Sequence, residues 1–305
     1  MELAEGQYTK LTFSGHETFQ CRNLWLKKGY DFLKRGCSFN DATAVVELGV
    51  GKNMVASIAY WMKAFDLLDK NSALTEFGTY LLDSDIGRDP FLEDEMSLWL
   101  LHYHLIKKNF ATTFHLIFNE MRQERPEFKK EHFLAYVQMK ATQLQIASTI
   151  NINTLSNDFD IFVKTYKTPN KNEKDPEEAF TSLLTDLHLL KSETRRSDDG
   201  FQSTIYHINH PHDANISDEL LLYSIVDNET FKDSISLRSI AQETNSPGNI
   251  FAINQQELSK RLSKISRNDK LKIFELSYSE NAGIAELQIK NKPNKFTILD
   301  IYYGF

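Results

Sequence analysis

Cysteine, glycine and proline are all scarce in this chain. It has 2 Cys, 12 Gly and 7 Pro in 305 residues, which favours helices over a loop-rich β architecture. Cys21 and Cys37 lack the Cys-x-x-Cys spacing and the histidine pattern typical of a zinc site. We expect two free thiols in a reducing cytosol, with a structural disulfide as the alternative.

Long apolar runs are missing as well. No run of about 18 apolar residues occurs, and the acidic residues 1–5 contain no signal-peptide core. We therefore expect a cytoplasmic protein that is neither secreted nor membrane-spanning. The formal charge of −7 argues against broad nonspecific coating of nucleic acid, yet it allows a local basic face. A hydrophobic share of 41% is ample for the cores of two or three domains.

The segment Leu48–Val55 looks like a phosphate loop but lacks the residues that such a loop needs. A Walker-type loop has Gly-x4-Gly-Lys followed by Ser or Thr, whose hydroxyl holds magnesium. Here Val46 stands at the first glycine position and Asn53 follows Lys52. Nucleotide binding is therefore not expected. With its flanks, the segment predicts the glycine-rich turn of a helix-turn-helix.

The flanking pattern predicts a first winged-helix module over residues 38–82. Apolar residues recur every 4, 3 and 4 positions in the helix that starts at Lys52. Asp69–Ser72 is a plausible hairpin turn, which would form the wing. Thr75 can then cap a closing helix that runs to Leu82.

A second winged-helix module is predicted from Asp218 onward. Asn254 can cap its third helix, and alternating residues from Ile273 to Ile289 predict a two-stranded wing. The middle is helical, because Leu98–Leu105 is apolar nearly all round, as in a buried helix. The expected fold is mainly α with small β wings, and winged-helix modules flank a helical middle domain. The expected domains are residues 1–90, 91–200 and 201–305.

Basic side chains on these modules are the predicted DNA contacts. Lys52 and Asn53 begin a helix, where they could reach a phosphate and a base edge. Lys260, Lys264 and Arg267 recur at spacings of 4 and 3, so they share a helix face that could neutralise several phosphates. A solvated cationic face is the alternative. The full predicted set is Lys27, Lys28, Lys52, Asn53, Arg238, Lys260, Arg261, Lys264 and Arg267.

The densest cluster of reactive side chains lies near the N-terminus. His16 could act as a base, Glu17 as a magnesium ligand and Arg22 as a phosphate clamp. Neighbours on a strand point to opposite faces, so only a turn at Gly15 could bring His16 and Glu17 to one site. The alternative is a structural hydrogen-bond network among the three side chains.

Other groups with chemical potential have simpler interpretations. The carboxylates of Glu93–Glu95 suit the start of a helix, with hard-cation binding as the alternative. His102 and His104 lie about 200° apart on a helix and are expected in the core. His210–His212 is a weak metal candidate. No standard nuclease motif occurs, so any nuclease site would be atypical.

Motifs distributed in order along nearly the whole chain carry a family resemblance. They are Phe13–Phe19 with Arg22, Trp25–Tyr30, Leu48–Val55, Tyr60-Trp61, Leu74-Thr75 with Gly78, Leu92–Asp94, Leu98–Tyr103, Asn153-Thr154 with Asp158, and Asp300–Tyr303. Together they closely resemble the SspB-like nickase family of bacterial DNA phosphorothioation systems, which was first described as a domain of unknown function.

The resemblance implies a DNA nickase that works beside a cysteine desulfurase, an ATPase and a pyrophosphatase-like sulfur transferase. These proteins would place sulfur in one strand of the DNA backbone as part of phage defence. Magnesium is the implied ion, and the carboxylates considered for it are Glu17, Glu93 and Asp94. The alternatives are a non-enzymatic DNA-binding adaptor that recruits the sulfur-transfer enzymes and a winged-helix regulator. Homodimer formation is left open.

Overall fold

The N-terminal part of the computed structural model contains short helices joined by tight turns. The structure describes residues 11–146, 150–168, 182–196, 202–209, 216–281, 284–292 and 294–305. The first helices are α1 (Trp25–Lys34), α2 (Ala44–Leu48), α3 (Lys52–Ala64) and α4 (Glu76–Leu82). Gly49 ends α2 with a left-handed φ of 63°, as the glycine-rich turn predicts.

The hairpin and the closing helix also follow their sequence signals. Leu68 and Leu74 form an isolated antiparallel bridge around the predicted turn. The Thr75 hydroxyl accepts a 3.0 Å hydrogen bond from the backbone N–H of Gly78 and so caps α4.

The middle of the chain is helical around one buried helix. Its elements are α5 (Glu95–Lys108), α6 (Thr112–Leu116), a π-helical turn (Ile117–Met121), α7 (Arg122–Glu124), α8 (Lys130–Gln143) and α9 (Ile152–Tyr166). Residues 96–106 of α5 are all buried, which confirms the prediction from the apolar run. His102 and His104 are core side chains, as expected.

A three-stranded antiparallel sheet follows, with the strand order β1-β3-β2. Its strands are β1 (Glu127–Phe128), β2 (Leu190–Arg196) and β3 (Gln202–Ile208). A 3₁₀ turn at Thr185–Leu187 precedes β2. The expected domain boundary at 200/201 falls between β2 and β3, which pair with each other along their whole length. The His210–His212 segment lies outside the described residues.

The C-terminal part runs from helices into a second three-stranded sheet. Its elements are α10 (Asp218–Val226), β4 (Ser234–Ser236), α11 (Leu237–Gln242), α12 (Pro247–Ile250), α13 (Gln255–Ile265), a 3₁₀ turn (Asp269–Phe274), β5 (Leu276–Asn281), β6 (Ile284–Ile289) and α14 (Lys295–Tyr303). The sheet is antiparallel with the order β4-β6-β5. Asn254 caps α13 by accepting from the Glu257 N–H at 2.9 Å.

One sequence-based strand assignment is wrong. The predicted strand from Ile273 begins only at Leu276, because the preceding residues form the 3₁₀ turn. Glu275 then adopts a left-handed φ of 47° and redirects the chain into β5. Leu271 and Phe274 are buried three residues apart while Ile273 is 50% exposed, which is the spacing of a 3₁₀ turn and not the two-residue alternation of a strand.

Buried apolar side chains form one continuous core cluster that includes residues from α1 to α14. Polar contacts also join the C-terminal helix α14 to earlier parts of the chain. Asp300 accepts hydrogen bonds from Tyr80 Oη and Arg88 Nε, each at 2.9 Å. Tyr302 donates to Asp94 Oδ1 at 3.0 Å. Within the described ranges, no helix is both long enough and apolar enough to cross a membrane.

Candidate functional site

The reactive N-terminal cluster sits on a tight knuckle formed by residues 13–19. Ser14, Gly15, Glu17 and Thr18 have φ values of 72°, 95°, 49° and 64°. Three non-glycine residues in this region mark a strained backbone that the surroundings must hold in place. A Cβ at Gly15 would lie 2.8 Å from a ring carbon of Tyr60, so only glycine fits against that ring.

His16 holds the knuckle to the middle of the protein. Its Nε2 lies 2.8 Å from Asp158 Oδ1, and its Nδ1 accepts from the backbone N–H of Thr18 at 3.2 Å. Asp158, on α9, also accepts from the Ser14 N–H at 2.9 Å and from Thr113 Oγ1 at 3.2 Å. Both ring nitrogens are thus used within the fold, and the ring is only 3% exposed. The partners of the ring are therefore Asp158 and the Thr18 main chain, which tie the knuckle to α9.

Glu17 and Arg22 differ from His16 in accessibility. The Glu17 side chain is exposed at the tip of the knuckle. The Arg22 guanidinium is half-buried, 5.6 Å from the centroid of the Phe19 ring and 5.5 Å from that of the Trp25 ring. His16 thus positions the knuckle, and Glu17 is exposed on it. Arg22, which follows the knuckle in the chain, packs against two aromatic rings.

The carboxylates considered for magnesium do not converge on one point. Asp94 Oδ1 accepts from the Met96 N–H at 2.8 Å and from Tyr302 Oη at 3.0 Å, so it caps α5 and anchors α14. Glu93 is exposed at the start of that helix, whereas Glu17 is on the knuckle. Among the residues that the structure describes, no group of three or more His, Cys, Asp or Glu side chains is placed to hold a metal ion.

The basic residues of α13 behave in two ways. Lys260 and Lys264 are exposed on α13, and Arg267 is exposed in the turn that follows Ile265. Lys264 is 74% exposed although its Nζ lies 3.0 Å from Asp218 Oδ2. Arg261 instead turns toward the fold. It donates to Glu257 Oε1 at 3.0 Å and to a main-chain carbonyl at 2.7 Å. The face formed by Lys260, Lys264 and Arg267, called the α13 basic face below, also borders a concavity.

Lys27 is not available for the DNA contact predicted for it. Its side chain is buried and its Nζ donates to Asp31 Oδ1 and Ser84 Oγ, each at 2.7 Å, and to the Leu82 carbonyl at 3.1 Å. Its charge is therefore used inside the fold, while the adjacent Lys28 is exposed. Sequence adjacency cannot distinguish them, because neighbours on a helix differ by about 100° in direction. Lys52, Asn53 and Arg238 are also exposed.

Two residues that support the knuckle were not identified from the sequence as part of it. Asp158 and Tyr60 lie far from it along the chain, and each belongs to a motif that carries the family resemblance. That resemblance was the only available signal, since nothing local to Asp158 indicates a partner 142 residues away.

Comparisons with known proteins agree with a full-length relationship. A family model described as a protein of unknown function (DUF4007) matches residues 13–303, from the knuckle to the last residue of α14. A magnesium ion-bound SspB crystal structure is similar with a TM-score of 0.81, and a second SspB crystal structure with 0.80. Each is 25% identical, and the match covers 97% of this chain and 88% of the other. No curated protein matches the chain significantly.

Proposed function

Since the chain belongs to the DUF4007 family, we propose that it is a DNA-binding protein that nicks one strand in support of backbone phosphorothioate modification and phage defence. The observation that carries DNA binding is the α13 basic face. The system-level role comes from the motif resemblance to SspB-like proteins and from the shared fold. The expected partners are DNA, a desulfurase, an ATPase and a pyrophosphatase-like protein of the modification system.

The element order supports a winged-helix use of residues 201–305. The elements follow in the order α10, β4, α11, α12, α13 and then the β5–β6 hairpin. In the sheet, β6 lies between β4 and β5. In helix-turn-helix proteins a later helix enters the major groove, and α13 has that place here. Lys260 and Lys264 are about 6 Å apart along the axis of α13, and Arg267 follows in the turn after the helix, so the three cations lie at one end of an element that a major groove about 12 Å wide can admit.

Nicking requires the hydrolysis of one phosphodiester bond. A water oxygen bonds to phosphorus and gives up a proton, and the bond from phosphorus to one sugar oxygen breaks while that oxygen takes a proton from solvent. In the proposal, Glu17 accepts the proton of the attacking water and Arg22 stabilises the added negative charge. His16 acts by positioning the knuckle.

Relaxation of a supercoiled plasmid tests this proposal. Purified protein is incubated with the plasmid in magnesium and in EDTA, beside Glu17→Gln and Arg22→Ala. The matched control Glu131→Gln changes an exposed glutamate on α8. We expect an open-circle product whose rate falls at least about a hundredfold in Glu17→Gln and is unchanged in Glu131→Gln. Nicking by Glu17→Gln at the unchanged rate would show that the catalytic centre is not on the knuckle.

A non-enzymatic adaptor is the second candidate, and one observation favours it. His16, the predicted base, uses both ring nitrogens inside the fold. An adaptor would shift the plasmid in a native gel without producing any open-circle form, in magnesium as well as in EDTA. A preparation that nicks equally well when the α13 basic face is neutralised would indicate a contaminating nuclease.

A further inference from the structure

A groove between α2 and α3 has a different character from the α13 basic face. Its volume is about 710 Å³, and most of its lining is apolar, including Phe39, Val45, Val55, Ala56, Ala59 and Phe110. Val45 in the lining is 40% exposed, and Val46 beside the groove is 81% exposed. Exposing apolar surface of this kind to water costs free energy. That free energy is recovered when a partner covers the surface.

Two cations mark the ends of this groove. Lys52 begins α3 and Lys63 lies in its last turn, eleven residues later, which is about 16 Å along the helix. Neither lysine has an ion-pair partner within the part of the chain that the structure describes. Asp41 also lines the groove, but its Oδ2 already accepts from the Ser38 N–H at 2.7 Å. The net charge offered to an occupant is therefore positive.

The surface between the two lysines does not suit DNA. Base edges and phosphates are read by polar and charged side chains, whereas α3 presents Ala56 and Ala59 there. An apolar centre with charged residues at its edge is the anatomy of a protein–protein interface. Small side chains also let another helix approach closely, as in helix-in-groove recognition.

We propose that the α2–α3 groove docks an amphipathic helix of a partner protein. The apolar face of that helix fills the groove, and two carboxylates about eleven residues apart pair with Lys52 and Lys63. The inference does not depend on nicking, since it needs neither Glu17 nor DNA. The occupant would also touch Tyr60, which lines the groove and packs against Gly15 of the knuckle.

Site-specific photo-crosslinking of the full chain in its native cells tests the docking surface. A benzophenone amino acid replaces Ala56 in the groove, and the control places it at Ala135, an exposed helical alanine on α8. We expect an Ala56-specific adduct whose crosslinked segment, read by mass spectrometry, is apolar with flanking Asp or Glu. An adduct with DNA or with a second copy of this chain would overturn the proposal, as would a yield no higher than at Ala135.

Charge reversal then tests how the adduct is held. In Lys52→Glu/Lys63→Glu, the crosslinking yield and the affinity for a synthetic peptide of the crosslinked segment should fall at least about tenfold. The control Lys70→Glu/Lys232→Glu reverses two exposed lysines outside the groove and should leave both within about twofold. Equal losses in the two variants would refute specific pairing. Because plasmid nicking is measured separately, failure of docking and failure of nicking remain distinct.

Discussion

The chain presents a helix after a turn at two places, and the two helices offer opposite surfaces. Lys260 and Lys264 on α13, and Arg267 in the turn just after it, are exposed. On α3, Lys52 and Lys63 stand at the ends of an apolar groove. A shared local outline therefore predicts shape but not partner, because the partner is chosen by the side chains that remain exposed.

The two ends of the chain are also held to the middle by different chemistry. The N-terminal knuckle depends on His16 and the buried carboxylate of Asp158. The C-terminal part combines ion pairs, Lys107–Asp227 and Arg88–Asp300, with hydrogen bonds between neutral groups. Asn119 donates to Asn245 Oδ1 at 3.1 Å, and His102 Nε2 lies 2.8 Å from the Ile250 carbonyl. Loss of the Asp158 carboxylate should therefore weaken the first attachment, and protonation of His102 should weaken the second.

The largest effect is expected from removal of the Asp158 carboxylate. Asp158→Ala leaves the Ser14 N–H, the His16 ring and Thr113 without their acceptor, so the free energy of unfolding should fall by about 3–5 kcal/mol. Urea denaturation measures it. The control Asp160→Ala removes a half-exposed carboxylate paired with Lys130, which should cost about 1 kcal/mol or less. Similar losses in both variants would show that His16 and Asp158 do not anchor the knuckle.

Acidification should weaken the C-terminal attachment next. Burial lowers the pKa of His102 from 6.5 to about 4, so the folded state binds a proton less readily than the unfolded state. Its stabilising contribution is therefore complete above pH 6.5 and is lost as the pH falls toward 4. By pH 5 the loss is about 2 kcal/mol. Burial also lowers the pKa of His104 and of His115, which act with the same sign.

Urea denaturation at pH 7, 6 and 5, with His102→Gln as the non-titrating control, checks this dependence. The variant should be less stable at pH 7 but should lose less stability on acidification. Hydrogen exchange of α12, which accepts the His102 hydrogen bond through Ile250, should accelerate between pH 7 and pH 5, after correction for the intrinsic pH dependence of exchange. An unchanged slope in His102→Gln would assign the acid sensitivity elsewhere.

Neutralising the α13 basic face should show whether α13, unlike α3, contributes to DNA binding. Lys260→Ala/Lys264→Ala/Arg267→Ala should weaken duplex DNA binding roughly tenfold to a hundredfold and reduce the salt slope of log K by about 3, one for each phosphate that is no longer neutralised. Fluorescence anisotropy at several salt concentrations measures both quantities. Lys70→Ala/Lys191→Ala/Lys232→Ala, a control with equal charge loss at exposed sites, should leave the slope nearly unchanged. Equal slopes for both triple variants would show that the α13 basic face is a solvated surface that does not contact DNA.

The smallest effect on DNA is expected at the other helix. Lys52→Ala/Lys63→Ala should change DNA affinity by less than about twofold, because the surface between these lysines is apolar and offers no base or phosphate contact. The same anisotropy titration detects any change. A loss comparable to that of the α13 variant would mean that α3 also contacts DNA, as the sequence predicts for Lys52 and Asn53.

Much of the local structure was predictable because its causes are local. The glycine-rich turn, the Thr75 and Asn254 caps and the buried α5 each follow from residues within a few positions of one another. The start of the strand predicted from Ile273 was wrong, since Leu271 and Phe274 follow the spacing of a 3₁₀ turn. The sequence could name His16, Glu17 and Arg22 as reactive side chains but not their roles. The role of each depends on partners that are distant in the chain, such as Asp158 for His16.

By itself, the sequence determined where α3, α4 and α13 begin, that α5 is buried, and that a Walker-type loop is absent. These properties depend on backbone propensities and on hydrogen bonds that span three or four residues. Only the tertiary structure decided that Lys27 is buried beside an exposed Lys28, and that His16 meets an aspartate 142 residues away. Exposure and pairing are set by the packing of distant segments, so the direction in which each side chain faces decides its chemistry.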